Sequence, residues 1–415
     1  MKKAIKVAIL SGLNYPVPPI RGGGPQIVLY NTALKMNDPE IDWTIFSNWE
    51  RGLESVDYDR KRIRALKTQL IDRFLRGLVN LLPYRWRKSL FSVVGNPDLM
   101  ILNIKIARRL LFQKFDLVIC HESYSLAYLI HKLFPNQKIL TYVHNSKVHL
   151  DFDDENWRKY ALASTAGMIL GSQFAKTAIQ ERFEILPKMS VIYNGIDTSK
   201  FKKENREDNL SDIRNHLGLP LADFVFIYCG RLTPMKQVHL IVEAFIQLAF
   251  ERNDVSLLIV GSAKDDEYSD FNYETELKNM PPDSLIDKVK FVGFVQQEEL
   301  PKFYSISNCA VLGTSKNLQE TLPLFLLEAL SSGIPVIAPA VGAIPEVIRQ
   351  DKEGIILDAE YEMREMLAAM RRMVEGREAW AARASDISDT IRRDFSWERV
   401  ADEVTDMIKQ IVGEV

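Results

Sequence analysis

The feature that most restricts this chain is an alternation. Short apolar, β-branched runs recur, and segments long enough for helices separate most of them. The first series is IKVAIL (5–10), DWTIF (42–46), DLVIC (116–120), KILTYVH (138–144), GMILG (167–171) and MSVIYNG (189–195). The second is DFVFIYCG (223–230), VSLLIVG (255–261), VKFVGF (289–294), NCAVLG (308–313), IPVIAP (334–339) and GIIL (354–357). Runs with no polar alternation suit strands covered on both faces, which are parallel strands with helices packed over the sheet. Helices are expected at 237–251 and 322–332, among others. Two such series predict two doubly wound α/β domains, in line with 415 residues at about 150 per domain. Between them KFKKENREDNLSDIRNH (200–216) is charged and poor in large apolar residues, and reads as a linker. The expected domains are 1–199 and 200–394, followed by a terminal helix over 395–412. Ligands of open parallel sheets sit beyond the carboxyl ends of the strands.

Composition narrows the class. Hydrophobic content of 47% and charged content of 26% fit a soluble globular protein with a large core. A net charge of −2 gives no whole-molecule attraction to nucleic acid, and no nucleic-acid-binding motif accompanies the local charge. Nucleic acid is therefore not an expected partner. Cys120, Cys229 and Cys309 are scattered and form no CxxC, which suits buried free thiols in a reducing compartment. The opening MKKAIKVAILSG has only about seven apolar residues and no cleavage pattern, so it reads as the first strand of a cytoplasmic protein. No apolar stretch reaches the ~18 residues of a spanning helix. Nor does any His/Cys cluster suggest zinc. Asp151 and Asp153 of DFDDENW (151–157) read as charge at a helix start. No metal and no cofactor is expected.

Three stretches carry chemistry. PPIRGGGPQIVLY (18–30) puts a glycine run after the first strand. It does not fit G-x-G-x-x-G, which disfavours a dinucleotide site and leaves a phosphate-approaching loop or a plain β–α turn. CGRLTPMKQVHLIVEAF (229–245) ends a strand at Gly230 and follows it with Arg231 and Lys236. Cations at a strand end, one a planar fork and one a point charge, can converge on a diphosphate; they can also be ordinary solvated cations. SKNLQETLPLFLLEALSSGIPVIAPAVGAIPEVI (315–348) places Glu320 before a helix expected to begin near Leu322, with Pro323 in its first turn. Glu328 follows eight residues after Glu320, at most about 12 Å along a helix axis at 1.5 Å per residue. A nucleotide sugar has a matching reach: sugar hydroxyls, diphosphate, ribose diol. Glu328 lies among Leu326, Leu327, Ala329 and Leu330, so its carboxylate needs a partner. The alternative is an exposed acid at a helix start and an ordinary helix residue.

Taken together, Arg231 and Lys236, Glu320 and Glu328, SSGIPVIAPAVGAIPEVI, VIYNGIDTSKF (191–201) and the opening glycines resemble the family-4 retaining glycosyltransferases of the GT-B fold. The resemblance covers nearly the whole chain and is strongest over 189–348. It implies two Rossmann-like domains facing across a cleft, with the terminal helix returning to the amino-terminal domain. It implies transfer of a hexosyl unit from a nucleotide sugar, with UDP favoured, to a glycan or lipid-linked acceptor in polysaccharide or glycoconjugate synthesis. Arg231 and Lys236 are implied to hold the diphosphate, Glu320 the transferred sugar and Glu328 the ribose. Backbone N–H groups near Leu322 to Leu324, a turn that contains Pro323, complete these contacts. Turns at Gly261 and at Gly293–Phe294 border the base, His144 faces the donor sugar, and Gly22 and Gly23 form a loop near the donor phosphates. Gln237 departs from the glycine usual after the lysine, and Pro323 from a frequent glycine. A non-catalytic partner subunit of another transferase and a nucleotide-sugar epimerase are the alternatives.

DRKRIRALKTQLIDRFLRGLVNLLPYRWRKSLF (59–91) stands apart. Arg60 to Lys88 holds ten lysines or arginines and one acid, Asp72. Ile63, Leu66, Leu70, Phe74 and Leu78 recur at helical spacing and predict a basic amphipathic helix, followed by Tyr84, Trp86 and Phe91. Three readings fit: peripheral contact with the inner face of an anionic plasma membrane, a lining of the acceptor cleft or a partner interface, or a solvated helix packed on its own domain.

Overall fold

The structure is a computed structural model. It describes residues 4–11, 15–20, 23–67, 97–122, 124–144, 164–184, 186–202, 210–263, 271–318 and 321–413. Gly22, Glu320, Asp151, Asp153 and the stretch 68–91 lie outside the described residues.

The chain divides into two compact units, Met1–Asn194 with Trp397–Val415, and Gly195–Ser396. The first is built on seven parallel strands: β1 (Ile5–Ser11), β2 (Ile41–Asn48), β3 (Ile63–Leu66), β4 (Leu117–His121), β5 (Ile139–Val143), β6 (Gly167–Leu170) and β7 (Lys188–Val191). Their order is β3-β2-β1-β4-β5-β6-β7. β4 and β5 are buried along their whole length, as expected for strands covered on both faces. The second unit has six: β8 (Phe224–Cys229), β9 (Val255–Val260), β10 (Val289–Gly293), β11 (Cys309–Val311), β12 (Val336–Pro339) and β13 (Gly354–Leu357). Here the order is β10-β9-β8-β11-β12-β13. In each sheet the chain winds outward from a central strand and then returns to its other side. The reversal falls between β1 and β4 in one unit and between β8 and β11 in the other. Such reversals leave a crevice at the carboxyl ends of the strands.

The helix Trp397–Gly413 belongs to the first unit. Its buried residues Val400, Ala401, Val404, Met407, Ile408 and Ile411 recur at three and four, one stripe of a helix. Charge flanks the stripe: Lys409 reaches Asp38 at 2.6 Å and Lys35 reaches Glu398 at 2.6 Å. Lys138 Nζ donates to the terminal carbonyl of Ile411 at 2.8 Å, a cation at the negative end of the helix. Met407 and Ile411 close over Gly167, where a β-carbon would lie 2.9 Å from both side chains.

Three local expectations are corrected. The basic stretch does not begin as a helix: Ile63–Leu66 is the edge strand β3, paired with β2 from Ile45↔Ile63 to Asn48↔Leu66. Within it Ile63 alone is buried, and the i, i+3 spacing of Ile63 and Leu66 fits a helix in sequence. The segment 200–216 is not wholly linker. Leu210–Leu217 is a helix, and its Arg214 is buried against backbone carbonyls of Leu221 (2.8 Å), Asp223 (3.0 Å) and Ile306 (2.6 Å). A buried cation stands here in a stretch expected to be linker. Finally, the helix near Leu322 begins at Leu324, and Pro323 is its cap residue in extended conformation (φ −71°, ψ 129°).

Candidate functional site

In the second unit four strand ends converge on one edge. β8 passes through Gly230 into Arg231, and β9 ends at Gly261. β10 ends at Gly293 beside Phe294, and β11 leads to the helix Leu324–Ser331. The ends are laced together: Gly230 N–H donates to Val260 O at 2.9 Å, and Gly261 N–H to Gly293 O at 2.8 Å. Gly261 has φ +140°, and a β-carbon on it would lie 1.8 Å from Gly230 O. Only glycine lets the two turns approach so closely.

The cations are held by backbone. Buried Tyr228 donates its hydroxyl to Arg231 O at 2.8 Å, which leaves the exposed guanidinium at the rim. Lys236 closes a short turn, Pro234–Lys236, with its N–H on Thr233 O at 2.9 Å. Ser315 N–H fastens the turn to Met235 O at 2.9 Å. Gln237, the departure noted above, adopts φ 47° and ψ 37°. This is the left-handed region, so the turn keeps the geometry that glycine favours and bears a local strain.

Glu328 is a buried carboxylate, 5% exposed. Its Oε2 accepts the Tyr304 hydroxyl at 2.7 Å. Burial pushes its carboxyl pKa up, while Tyr304, Gln297 and Lys200 pull against that shift. Burial likewise raises the Tyr304 hydroxyl and the neighbouring Cys229 thiol. Phe325 connects these parts, with its ring centroid 6.2 Å from both Tyr228 and Tyr304. The helix start thus shares one cluster with the Arg231 turn and with Glu328. No side chain caps the first turn of Leu324–Ser331, where the Leu326 N–H donates to Pro323 O at 3.1 Å. Buried Leu322 and half-buried Pro323 precede it.

The first unit has its own strand-end cluster. β4 ends at His121, which pairs with Ser11 at the end of β1, and His144 follows β5. His121 Nδ1 and His144 Nε2 are 2.7 Å apart, so one ring donates and the tautomers are coupled. The rings of Tyr142 and His144 stack at 4.2 Å, and those of His121 and His144 at 4.9 Å. Burial lowers both histidines, His144 to about 3, which makes the pair neutral at ordinary pH. Glu122, at φ +47°, accepts the His144 N–H at 2.9 Å. His144 Nδ1 and the Tyr142 hydroxyl are buried with no hydrogen-bond partner among the described residues. After β1, Gly23 precedes the helix Gly24–Lys35, again without a side-chain cap, and Gln26 Oε1 is buried without a partner there. A β-carbon on Gly23 would lie 2.4 Å from that oxygen.

Arg231, Lys236, Gly261, Phe294, Leu322, Pro323, Leu324 and Glu328 therefore fall on one edge of the second sheet. Gly23 and His144 fall on the carboxyl edge of the first. His121, Tyr304 and Tyr228 were not anticipated. A signal existed for His121, since DLVICH and KILTYVH end neighbouring strands in the same residue. Tyr304 meets Glu328 across 24 positions, and nothing local announces it. Among the described residues no group of His, Cys, Asp or Glu could hold a metal ion. Among them, too, no helix is long and apolar enough to cross a membrane.

The family model of glycosyl transferases group 1 matches residues 211–388, and that of glycosyltransferase family 4 matches 22–200. Spore coat protein SA of Bacillus subtilis is 24% identical over 404 residues, 96% of this chain and 97% of that protein. The lipopolysaccharide 1,2-N-acetylglucosaminetransferase of Salmonella typhimurium is 24% identical over 406 residues, 95% and 96% of the two chains. The fold is that of Anabaena HepE in a crystal structure with UDP-glucose, with a TM-score of 0.74 at 18% identity over 98% of this chain and all of that one. With one family model on each of its two parallel-sheet units, this chain belongs to the group 1, family 4 glycosyltransferases of GT-B fold.

Proposed function

We propose that the protein transfers a hexosyl unit, with retention of configuration, from a UDP-sugar to a glycan or lipid-linked acceptor. The observation that carries this reading is Glu328. A carboxylate buried in an apolar helix and held by Tyr304 is costly without a ligand to use it. It accepts the ribose diol. Arg231 and Lys236 hold the diphosphate and neutralise its charge as it departs, and the N–H groups of Leu322 and Leu324, either side of Pro323, assist. Glu320 contacts the transferred sugar, and Gly261 and Phe294 border the base. From the first domain, Gly22 and Gly23 approach the phosphates. His144, neutral, offers its unpartnered Nδ1 to a sugar hydroxyl. HepE bears UDP-glucose and the Salmonella relative is named for a sugar transfer, which favours UDP and a polysaccharide or glycoconjugate product.

Chemistry then needs little from the protein beyond placement. The acceptor hydroxyl attacks the anomeric carbon from the face the diphosphate leaves. A phosphate oxygen takes the hydroxyl proton as the C–O bond to UDP breaks, and no metal enters the step. A lipid-borne acceptor would bring the first domain to the inner membrane face.

The test is proton NMR of UDP-glucose and UDP-N-acetylglucosamine turned over with a panel of glycan acceptors. The expected result is acceptor-dependent release of UDP and a new α-anomeric signal. An isomerised donor without UDP release would mean an epimerase. No turnover with any acceptor would favour the partner-subunit reading.

A further inference from the structure

The first unit has a second concavity, away from its strand-end cluster. β3 is the outermost strand of its sheet. With the connection from β2 and the helix Pro97–Phe112 it borders a cavity of 510 Å³. That size lies within the about 300–1,000 Å³ of small-molecule sites. Arg60, Arg64, Lys67 and Arg109 line it, against one carboxylate, Glu54. Among the described residues none of the four cations is in an ion pair. Arg64 donates to the neutral Gln113 Oε1 at 3.0 Å. Lys67 lies over the Trp49 ring at 4.4 Å, and Arg60 over Tyr58 at 5.6 Å. Glu54 faces its own loop, accepting the Gly52 N–H at 3.0 Å.

Cations gathered in one cavity repel one another, and an anionic ligand removes that repulsion. Guanidinium forks match carboxylate and phosphate in two-point contacts. The Trp49 and Tyr58 rings hold Lys67 and Arg60 against the cavity wall. We propose that this cavity binds an anionic saccharide, a sugar bearing carboxylates or phosphates. The concave setting argues for it over a bilayer, which meets a protein on the outward face of an amphipathic element. Arg231, Lys236 and Glu328 take no part, so the proposal stands independently of the donor site.

The experiment is isothermal titration of the full chain with a galacturonic acid trimer and with glucose 6-phosphate. Maltotriose, inorganic phosphate and phosphatidylglycerol vesicles run beside them. At least one anionic sugar should bind, and maltotriose should not. Affinity should fall about tenfold in Arg109→Gln and in Arg64→Gln, and should weaken with added salt. Among the described residues the Arg109 side chain makes no hydrogen bond or ion pair, so Arg109→Gln keeps the test clear of folding defects; melting temperatures check both variants. The two sugars separate a uronate from a sugar phosphate. Binding of neither, or binding unchanged in both variants, overturns the proposal. So does inorganic phosphate binding as tightly as the sugars, an ion site only, or a variant effect confined to vesicles.

Discussion

The two units wrap their sheets by one rule and end their strands in opposite chemistry. Both wind outward from a central strand and reverse beside it, at β1 and β4 and at β8 and β11. At the first reversal stand stacked neutral imidazoles, a tyrosine hydroxyl and a glycine before a helix, with the Glu122 carboxylate on the His144 N–H. At the second stand two cations on strand-end turns and a buried carboxylate tied to Tyr304. Burial acts on the two clusters with opposite sign. It pushes His121 and His144 down and Glu328 up, so both units favour uncharged forms of their buried groups. The fold supplies the place, and the side chains at the strand ends supply the function.

The largest expected break in this comparison is Gly261→Ala. A β-carbon 1.8 Å from Gly230 O at φ +140° should cost about 3–5 kcal/mol. Urea unfolding followed by hydrogen exchange should show Gly195–Ser396 loosening while the first unit holds. Gly24, whose β-carbon position is open, should accept Ala within about 1 kcal/mol.

Next comes Tyr304→Phe, which removes a hydroxyl from a buried carboxylate and should cost about 1–3 kcal/mol. The loss should grow as pH rises through the raised folded pKa of Glu328 and its carboxyl ionises, read from unfolding midpoints across a pH series.

A pH series sharpens the contrast directly. The folded pKa of each histidine lies below its unfolded value near 6.5. Their contribution is therefore present above that value and is lost as pH falls toward about 3 for His144. Glu328 is raised, so its contribution is present at low pH and lost as pH rises through its folded pKa. Between pH 7 and 5 exchange protection should fall in the first unit, on the order of 1 kcal/mol per pH unit, and should fall less in His121→Phe. The smallest effect is Gln237→Gly. Relieving a left-handed Gln should stabilise the second unit by about 1 kcal/mol, a rise in its melting temperature.

The sequence was most legible where burial is symmetric. Runs such as VSLLIV and LVICH have no polar face to confuse strand with helix, and each became a fully buried strand. β3 escaped because an edge strand needs few apolar residues and tolerates charge, and IRAL offers one buried side chain. Arg214 hid a helix because a buried arginine bonded to carbonyls looks, in sequence, like a solvated one. The same limit applies at the site. Lys236 and Glu328 could be picked out by their position after a strand and within an apolar helix. Tyr304 and His121 owe their positions to tertiary contacts with other elements.

The most direct test of the account is titration of UDP into the intact protein and into Lys236→Ala, Glu328→Gln and His144→Phe. UDP should bind the intact protein, with affinity falling about tenfold to hundredfold in the first two variants, the cost of one charged hydrogen bond each. His144→Phe, in the other unit, should stay within about twofold, since its ring serves the sugar rather than the nucleotide. UDP affinity unchanged in Lys236→Ala and Glu328→Gln, or no binding of UDP at all, would contradict the assignment of the donor site to the second unit.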